Sequence, residues 1–435
     1  MIDTTLDQLN MNLSIDKYRK IKAFLVGIID KNISALEAAS LAEELKNLAN
    51  TLELEILSLE TVNIRENHVK YGMGTGKAEE LAQKAALLEA DCIIFDRVIS
   101  PSQQRNWEAL SGIAVLDRQE LIIQIFASRA STREAALQVQ MAELTYSLPR
   151  LEHKYIDLSR QRGGRYGTRG SGETRLETDR RRLEQRIHKL KEELEEVKSQ
   201  RQVQRKLRKR QGVPVCALVG YTNSGKSTIL NALTGAGVLA EDKLFATLDS
   251  TSRKLKLPLG TEVLLIDTVG FIRRLPHSLI NAFRSTMEEA SHADILLFIL
   301  DASSPDINEH YETTLSVLGD LGARDIPIIT VLNKIDKLES AEALLRQFSG
   351  SVPVSAIDGK GLDLLCGRIE STLSRANMFF RFPVKNPELA AMVHRKGLVV
   401  SEKYGEDFIE MEAKVDERVA GILKKYKVKE CFINE

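Results

Sequence analysis

A phosphate-binding loop is the clearest chemical feature of the sequence. Residues 220 to 227 read Gly-Tyr-Thr-Asn-Ser-Gly-Lys-Ser, a complete Gly-x-x-x-x-Gly-Lys-Ser pattern. An apolar run precedes the loop and helical spacing follows it, so we expect it between a strand and a helix. In that setting, backbone N–H groups of residues 222 to 227 converge on the α- and β-phosphates. Lys226 is then expected to bridge the β- and γ-phosphates, and Ser227 to hold Mg²⁺.

Two segments between the loop and residue 271 carry candidate metal and γ-phosphate contacts. Asp267-Thr-Val-Gly270 ends an apolar run, which places Asp267 where it can reach Mg²⁺ through water and lets the Gly270 amide face the γ-phosphate. Phe245-Ala-Thr-Leu-Asp contains Thr247, the expected switch residue that ligates Mg²⁺ when a γ-phosphate is present. Thr251 is the competing candidate for that role.

A third segment selects the base. Asn333-Lys-Ile-Asp336 ends another strand-like run, and the Asp336 carboxylate can accept two hydrogen bonds from the N1 and N2 edge of guanine. Adenine cannot supply that pair of donors, so the pattern predicts GTP rather than ATP. Ser355-Ala356 is placed to donate a backbone N–H to the guanine O6.

These motifs give a complete set of expected site residues. Those expected to act in hydrolysis are Lys226, Thr247 and Gly270, and those expected to hold Mg²⁺ are Ser227, Thr247 and Asp267. The residues expected to contact GTP or GDP are Gly220, Tyr221, Thr222, Asn223, Ser224, Gly225, Lys226, Ser227, Thr228, Phe245, Thr247, Asp267, Gly270, Asn333, Lys334, Asp336, Ser355 and Ala356.

Phe271 stands where Ras-like GTPases carry the glutamine that orients the attacking water. A phenyl ring can neither donate nor accept the required hydrogen bonds, so slow intrinsic hydrolysis and a partner-supplied element are expected.

Asn223 admits two interpretations, a K⁺ ion near the β/γ bridge or an Asx turn that stabilises the loop. Arg273, Arg274 and His277 are expected to form a solvated segment.

Length and composition predict a multi-domain α/β protein. The chain has 435 residues, with 61 basic and 61 acidic side chains. We predict an open α/β domain at 1–128, a helical hairpin at 129–210, a GTPase domain with a mostly parallel sheet at 211–375 and a small α+β domain at 376–435. The cysteines have neither metal nor redox spacing, and no signal peptide or apolar run of spanning length is evident. A cytoplasmic monomer with reduced thiols is the expectation.

The N-terminal segment alternates strand and helix patterns, which favours an open, mostly parallel sheet. Within it, Gly72-Met-Gly-Thr-Gly-Lys77 precedes a helix. The alternatives are a glycine-rich turn and a second phosphate site that would bind ATP.

Residues 150 to 210 are strongly basic, with 20 Lys and Arg against 10 Asp and Glu. Heptad spacing on either side of Leu158 to Thr174 predicts two antiparallel helices that carry this glycine-rich segment at their tip. Arginine pairs with phosphate oxygens and stacks on bases, so RNA is the preferred partner, and a solvated loop without a partner is the alternative. The candidate RNA contacts are Arg160, Arg162, Arg165, Arg169 and Tyr166.

Several longer motifs resemble the HflX GTPases, a group in the Obg-like branch. They include Ser100-Pro-Ser-Gln-Gln-Arg-Asn, Asp117-Arg-Gln-Glu-Leu-Ile, Ala130-Ser-Thr-Arg-Glu, residues 167 to 182, and the phosphate loop with Phe245-Ala-Thr-Leu-Asp. The resemblance implies a GTP-dependent factor that binds the large ribosomal subunit and its RNA, is stimulated by them, and splits stalled or stress-damaged ribosomes. Two other classes stay open, a signalling GTPase with a protein effector and an RNA-remodelling ATPase driven by the N-terminal domain.

Overall fold

The structure is a computed structural model that describes residues 19–31, 33–161, 171–211, 213–235, 243–274, 279, 289–373, 378–415 and 417–428. These residues form three β-sheets and a long helical hairpin, which confirms the predicted multi-domain α/β class. No helix in this part of the chain combines the length and apolar character needed to span a bilayer.

The N-terminal sheet has four parallel strands in the order β2-β1-β3-β4, which confirms the open parallel sheet. The strands are β1 (Lys22–Ile29), β2 (Glu55–Asn63), β3 (Cys92–Phe95) and β4 (Ala114–Asp117). β1 and β3 are apolar along almost their whole length because helices cover both faces of the sheet. The helices are α1 (Ala35–Thr51), α2 (Thr75–Leu87), α3 (Pro101–Ser111) and α4 (Arg118–Arg129).

Helix α4 is an element that the sequence interpretation missed. Asp117 ends β4 and also caps α4, since its side chain accepts a hydrogen bond of 2.9 Å from the amide of Glu120. An Asp followed three residues later by Glu is a recognised signal of a helix start, and it is present in the sequence. The direct passage from strand to helix left no loop residues to mark the boundary.

The hairpin consists of α5 (Arg133–Gln161) and α6 (Ser171–Gln211). The start of α5 lies against the later part of α6, because Glu134 forms a 2.9 Å ion pair with Arg201, so the helices are antiparallel as predicted. The heptad residues pack together, with Leu137, Leu190 and Leu194 buried. Both helices extend beyond their expected ends, so 162–170 rather than 158–174 separates them.

The GTPase sheet has six strands in the order β10-β9-β8-β5-β7-β6, and only β6, at the edge, is antiparallel to its neighbour. The strands are β5 (Val215–Gly220), β6 (Thr251–Lys256), β7 (Glu262–Asp267), β8 (Ile295–Asp301), β9 (Ile328–Asn333) and β10 (Val352–Pro353). The helices are α7 (Lys226–Thr234), α8 (Ile307–Asp320), α9 (Glu342–Gln347) and α10 (Leu362–Leu373). Parallel strands bring the ends of β5, β7 and β9 to one edge, where the predicted motifs begin.

The C-terminal unit is a four-stranded antiparallel sheet in the order β12-β13-β11-β14. Its elements follow a βαββαβ order typical of ferredoxin-like folds: β11 (Met378–Pro383), α11 (Pro387–Lys396), β12 (Gly397–Tyr404), β13 (Phe408–Val415), α12 (Glu417–Ile422) and β14 (Lys427–Val428). This agrees with the expected α+β unit. The spacing of residues Val415 to Lys425 predicts a helix, but the helix begins only at Glu417, because Val415 pairs with Gly397 inside the sheet.

Candidate guanine-nucleotide site

The phosphate loop needs glycine where it passes between β5 and α7. Gly225 has φ +93°, and a Cβ there would lie 2.2 Å from the Asn333 side-chain nitrogen. At Gly220, with φ +151°, a Cβ would lie 2.3 Å from the carbonyl oxygen of Ile299. Larger residues would push the loop away from the neighbouring strands, so glycine keeps the loop close to them.

Lys226 is the cation of this loop and is buried. Its Nζ donates hydrogen bonds to the carbonyl oxygens of Tyr221 at 2.8 Å and Gly220 at 3.3 Å. Burial lowers the Lys226 pKa to about 8, although Asp267 opposes this change. An anion beside Nζ would favour the charged form, which makes the position suited to phosphate.

Three oxygen-bearing side chains meet beside the loop. Ser227 Oγ lies 2.6 Å from Asp267 Oδ2, and Thr247 Oγ1 lies 3.0 Å from the same oxygen and 2.8 Å from Ser227 Oγ. Burial raises the Asp267 pKa, with Lys226 and the hydroxyl hydrogen bonds acting against it. The second carboxylate oxygen, Oδ1, is buried without a hydrogen-bond partner. This all-oxygen set fits a hard divalent cation such as Mg²⁺.

The expected base-binding residues form one connected group with the phosphate loop. Asn333 donates to the carbonyl of Ser224 at 2.9 Å and accepts from the amide of Ala356 at 3.2 Å. Ser355 Oγ donates to Asp336 Oδ1 at 2.7 Å, which orients that carboxylate. The structure therefore brings these residues together at the same edge of the sheet.

Lys334 connects the same group to Asn223. Its Nζ donates to the Asn223 carbonyl at 2.8 Å and to Asp301 at 2.6 Å. Lys334 and Asn223 both have positive φ, +64° and +61°, a conformation that non-glycine residues seldom adopt. These contacts fix the backbone at Asn223 in a tight turn.

The segment after β7, here called switch II (268–274), pairs with the phosphate loop through its backbone. The Thr222 amide donates to the Phe271 carbonyl at 2.8 Å, and the Phe271 amide donates to the Gly220 carbonyl at 3.1 Å. A Cβ at Gly270 would lie 2.7 Å from Thr222 Cα and 2.9 Å from Lys226 Nζ, so only glycine fits. The Thr222 amide thus faces switch II, where the sequence interpretation had expected all amides of 222–227 to face phosphates.

Phe271 lies inside the core with 1% of its surface exposed. Its ring is therefore directed away from solvent and cannot orient a water molecule. This placement explains why an apolar residue is tolerated next to Gly270.

The N-terminal domain contributes a buried polar group that sequence reasoning missed. Glu44 of α1 forms an ion pair with Arg118 and a 3.3 Å ion pair with Arg273, and it accepts a hydrogen bond from the Tyr221 hydroxyl. The same hydroxyl accepts a 2.7 Å hydrogen bond from the Arg273 amide. The expectation of a solvated segment is therefore wrong for Arg273, because a buried carboxylate requires cationic partners.

A second buried carboxylate extends this group. Asp96 lies 2.6 Å from Arg118 Nη1 and 3.4 Å from Arg274 Nη1. Arg118 Nη2 also donates to the Arg273 carbonyl at 3.0 Å. Switch II is thus attached to the N-terminal domain through both its backbone and its arginines. His277 lies outside the described residues.

The segment 243–250, here called switch I, also contacts the N-terminal domain. Phe245 has φ +54° and packs edge-on against Phe126 of α4, with ring centroids 4.8 Å apart. Phe245 also lines a cavity that it shares with Thr222, Lys226 and Ser227. Of the candidate RNA contacts, four lie outside the described residues: Arg162, Arg165, Tyr166 and Arg169. The side chain of Arg160 lies outside them as well.

A phosphate loop, a set of hydroxyl and carboxylate oxygens beside it and an Asn-Lys-x-Asp group at one edge of a mostly parallel sheet define a P-loop GTPase. Family models match three consecutive parts of the chain: "GTP-binding GTPase N-terminal" over residues 39–127, "GTP-binding GTPase Middle Region" over 129–208 and "50S ribosome-binding GTPase" over 215–334. The GTPase HflX of Akkermansia muciniphila is 45% identical over 410 residues, which cover 90% of this chain and 93% of the relative. The chain therefore belongs to the HflX GTPases, and the resemblance seen in the sequence is confirmed.

Two further comparisons show the range of similar proteins. The GTPase HflX of Caldanaerobacter subterraneus subsp. tengcongensis is 44% identical over 398 residues, 91% of this chain and 91% of the relative. A solved structure of a GTP-binding protein from the archaeon Sulfolobus solfataricus in complex with GDP is 25% identical, with a TM-score of 0.43, and the match covers 81% of this chain and 98% of that one.

Proposed function

We propose that this GTPase binds the large ribosomal subunit through its basic hairpin, is stimulated there to hydrolyse GTP, and splits stalled or stress-damaged ribosomes. The family model "50S ribosome-binding GTPase" over residues 215–334 supports the ribosomal part. The observation that carries the proposal is the hairpin itself: two long helices, α5 and α6, flank a strongly basic part of the sequence in the same chain as a nucleotide switch. Clustered basic residues on such an arm suit an RNA backbone.

In the proposed site, Ser227 and Thr247 ligate Mg²⁺, and Asp267 holds it through water. The ion would neutralise charge on the β- and γ-phosphates. Lys226 would turn from the carbonyls of the loop to the phosphates, and Gly270 would present its amide to the γ-phosphate. Asp336 would select guanine, and the Ala356 amide would exchange its hydrogen bond to Asn333 for one to O6.

In this proposal, fast GTP hydrolysis requires the ribosome. Phe271 is buried and cannot position water, so the protein alone is expected to turn over slowly. K⁺ near Asn223 is the second proposed contribution, because a cation there would add positive charge close to the β/γ bridge. The tight turn at Asn223 suits either a K⁺ contact or a purely structural Asx turn.

The test is GTP hydrolysis with and without purified large subunits, in K⁺ and in Na⁺. Strong stimulation by the subunits is expected, and a rate that stays at its basal level would overturn the ribosomal proposal. A higher rate in K⁺ than in Na⁺ supports the ion at Asn223, whereas equal rates favour the Asx turn. Lys226→Ala removes hydrolysis and identifies any contaminating activity.

The arm is tested by replacing Arg160, Arg162, Arg165 and Arg169 with alanine. Loss of subunit binding with unchanged GTP affinity is expected, because these arginines are not among the residues expected to contact GTP. The control removes the same charge from exposed positions elsewhere, namely Arg253, Lys254, Lys256 and Arg346. Equal loss in both variants would show that net charge, rather than the arm, determines binding.

An ATP site in the N-terminal domain is the second candidate. A cavity of about 350 Å³ adjoins the Gly72–Lys77 turn and is lined by Arg65, His68 and Lys77. Helix α2 begins there at Gly74 without a side-chain cap. ATP binding by the full chain that persists in Lys226→Ala and is lost in Lys77→Ala would support it, and absence of binding would dismiss it.

A further inference from the structure

Two sequence motifs contact each other through residues that have no role in the proposed GTP chemistry. Asp249, at the end of Phe245-Ala-Thr-Leu-Asp, accepts hydrogen bonds from the amides of Ser131 and Thr132, both at 3.0 Å. It also accepts from their hydroxyls, both at 2.5 Å. Ser131 and Thr132 immediately precede α5, the first helix of the hairpin.

This contact is a helix cap supplied by another domain. The first amides of a helix lack partners within it, and a carboxylate near them is favoured by the helix dipole. Thr132 already caps α5 from within, since its Oγ1 accepts from the Ala135 amide at 3.2 Å. Asp249 adds a charged acceptor for the amides of Thr132 and of the preceding residue, Ser131. The base of the hairpin is therefore held against switch I.

The other end of the same short segment reaches the metal-ligand group. Thr247, two residues before Asp249, lies 2.8 Å from Ser227 Oγ and 3.0 Å from Asp267 Oδ2. Phe245 packs against Phe126 near the end of α4, which leads into α5. Switch I thus has one contact at the proposed Mg²⁺ site and two contacts at the root of the hairpin.

The hairpin is long enough to convert a small change at its root into a large one at its tip. Helix α5 has 29 residues. At 1.5 Å per residue its axis is roughly 40 Å long, from the root held by Asp249 to Gln161. A tilt at the root would therefore displace the far end of the helix by a larger distance.

We propose that Asp249 is a positioning residue that couples Thr247 to the hairpin. When Thr247 is at the metal site, Asp249 holds the root of α5; when Thr247 leaves, the cap opens and the hairpin is released. The inference rests on the proposed function only in taking Thr247 as a ligand in the GTP state. By linkage, the cap must then strengthen binding of a triphosphate more than binding of GDP.

The experiment compares affinities for GDP and for a non-hydrolysable GTP analogue with Mg²⁺ in full-length variants. Asp249→Ala is expected to weaken binding of the analogue about fivefold, in line with loss of one helix cap, and to change the affinity for GDP by no more than about twofold. Asp249→Asn keeps one acceptor and should restore part of the loss. The control Asp320→Asn, at an exposed site on α8, should change neither affinity.

The decisive variant changes only the hairpin side. Ser131→Ala combined with Thr132→Ala changes no nucleotide contact and removes the two hydroxyl donors to Asp249, while the two amide donors stay. It should therefore weaken binding of the analogue selectively, but less than Asp249→Ala does. If it has no effect and the amides of residues 131 and 132 also exchange equally with both nucleotides, Asp249 acts within switch I alone and the inference is overturned. Hydrogen exchange of the amides of residues 131 and 132 gives a second readout: slower with the analogue than with GDP in the native protein, and equal in Asp249→Ala.

These measurements contain no ribosomes, so they separate the two proposals. Failure of ribosomal stimulation would leave the affinity differences intact. Equal exchange and equal affinity ratios would reject the coupling even if large subunits stimulate hydrolysis strongly.

Discussion

Switch I and switch II both contact the N-terminal domain, through contacts of different physical character. Switch I offers one carboxylate, Asp249, to a helix start that is open to solvent. Switch II inserts Arg273 into a buried group with Glu44 and the Tyr221 hydroxyl. If the Asp249 contact opens, water can replace the lost hydrogen bonds. If the Arg273 contact opens, charged groups are left unpaired in an apolar environment. Switch II therefore holds the N-terminal domain through buried charges, and the Asp249 cap is the part of the switch I contact that can open at small cost.

Removal of the Glu44 carboxylate should have the largest effect. Glu44→Ala leaves Arg118 and Arg273 without their shared anion, and breaking a buried pair from one side costs about 3–5 kcal/mol. Urea unfolding followed by the fluorescence of Trp107 reports the N-terminal domain, because this single tryptophan is fully buried there. Glu43→Ala removes an exposed neighbour on the same helix and should unfold like the native protein. An equal shift of the urea unfolding midpoint in Glu44→Ala and Glu43→Ala would contradict the interpretation that the buried ion pairs of Glu44 stabilise the protein.

Removal of the Tyr221 hydroxyl should have the second-largest effect on the free energy of unfolding. Tyr221→Phe keeps the ring, which is stacked on His310 with centroids 3.7 Å apart, and removes the bridge between Glu44 and the Arg273 amide. The unsatisfied partners are expected to cost about 1–3 kcal/mol in the same unfolding experiment. Faster hydrogen exchange at the Arg273 amide is the local signature. Unchanged exchange there would show that the hydroxyl does not hold switch II.

Acid should weaken the switch I contact selectively. Burial opposes ionisation of Asp249, but hydrogen bonds from Ser131 and Thr132 outweigh it and hold the Asp249 pKa below its usual value. A carboxyl with a lowered folded-state pKa contributes stability that is present above the unfolded pKa, about 3.9, and is lost as pH falls through the folded value. The stability difference between the native protein and Asp249→Asn should be constant from about pH 5 to 8 and shrink below about pH 4. A difference that persists in stronger acid would mean that the charge of Asp249 is not what the helix start recognises.

The smallest effect is expected at a second, exposed contact of switch I. Lys243 lies 3.0 Å from Glu53, and the Glu53 side chain is 71% exposed. Solvent screens such a pair, so Lys243→Ala should leave the unfolding midpoint unchanged within error. A clear drop in the midpoint would instead show that the Lys243 contact, and not only the Asp249 cap, anchors switch I.

Most of the GTPase domain could be predicted because its motifs are local. Gly220, Asp267 and Asn333 each follow an apolar run, and the parallel sheet brings the ends of those runs together. The hairpin was equally readable, since heptad spacing is a property of consecutive residues. Helix α4 was missed although Asp117 and Glu120 signalled its start, because strand and helix follow each other without a turn.

The role of Glu44 could not be predicted in the same way. On α1 it occupies a position of ordinary amphipathic spacing, and its partners Arg118, Tyr221 and Arg273 lie between 74 and 229 residues away in sequence. Arg273 looked solvated because nothing near it in sequence would bury a guanidinium. A pairing of this kind follows from domain packing, which local pattern does not encode.

The sequence by itself determined the residues that carry the chemistry of this protein: a phosphate loop, a carboxylate predicted to select guanine, a phenylalanine in place of the water-positioning glutamine and a basic segment. These features depend on residue types at fixed spacing along one strand, turn or helix. The tertiary structure alone decided how the chemistry is connected to the rest of the chain. It placed Arg273 among buried carboxylates and Asp249 at the root of the hairpin, since only the packing of two domains brings charges so distant in sequence within hydrogen-bonding distance.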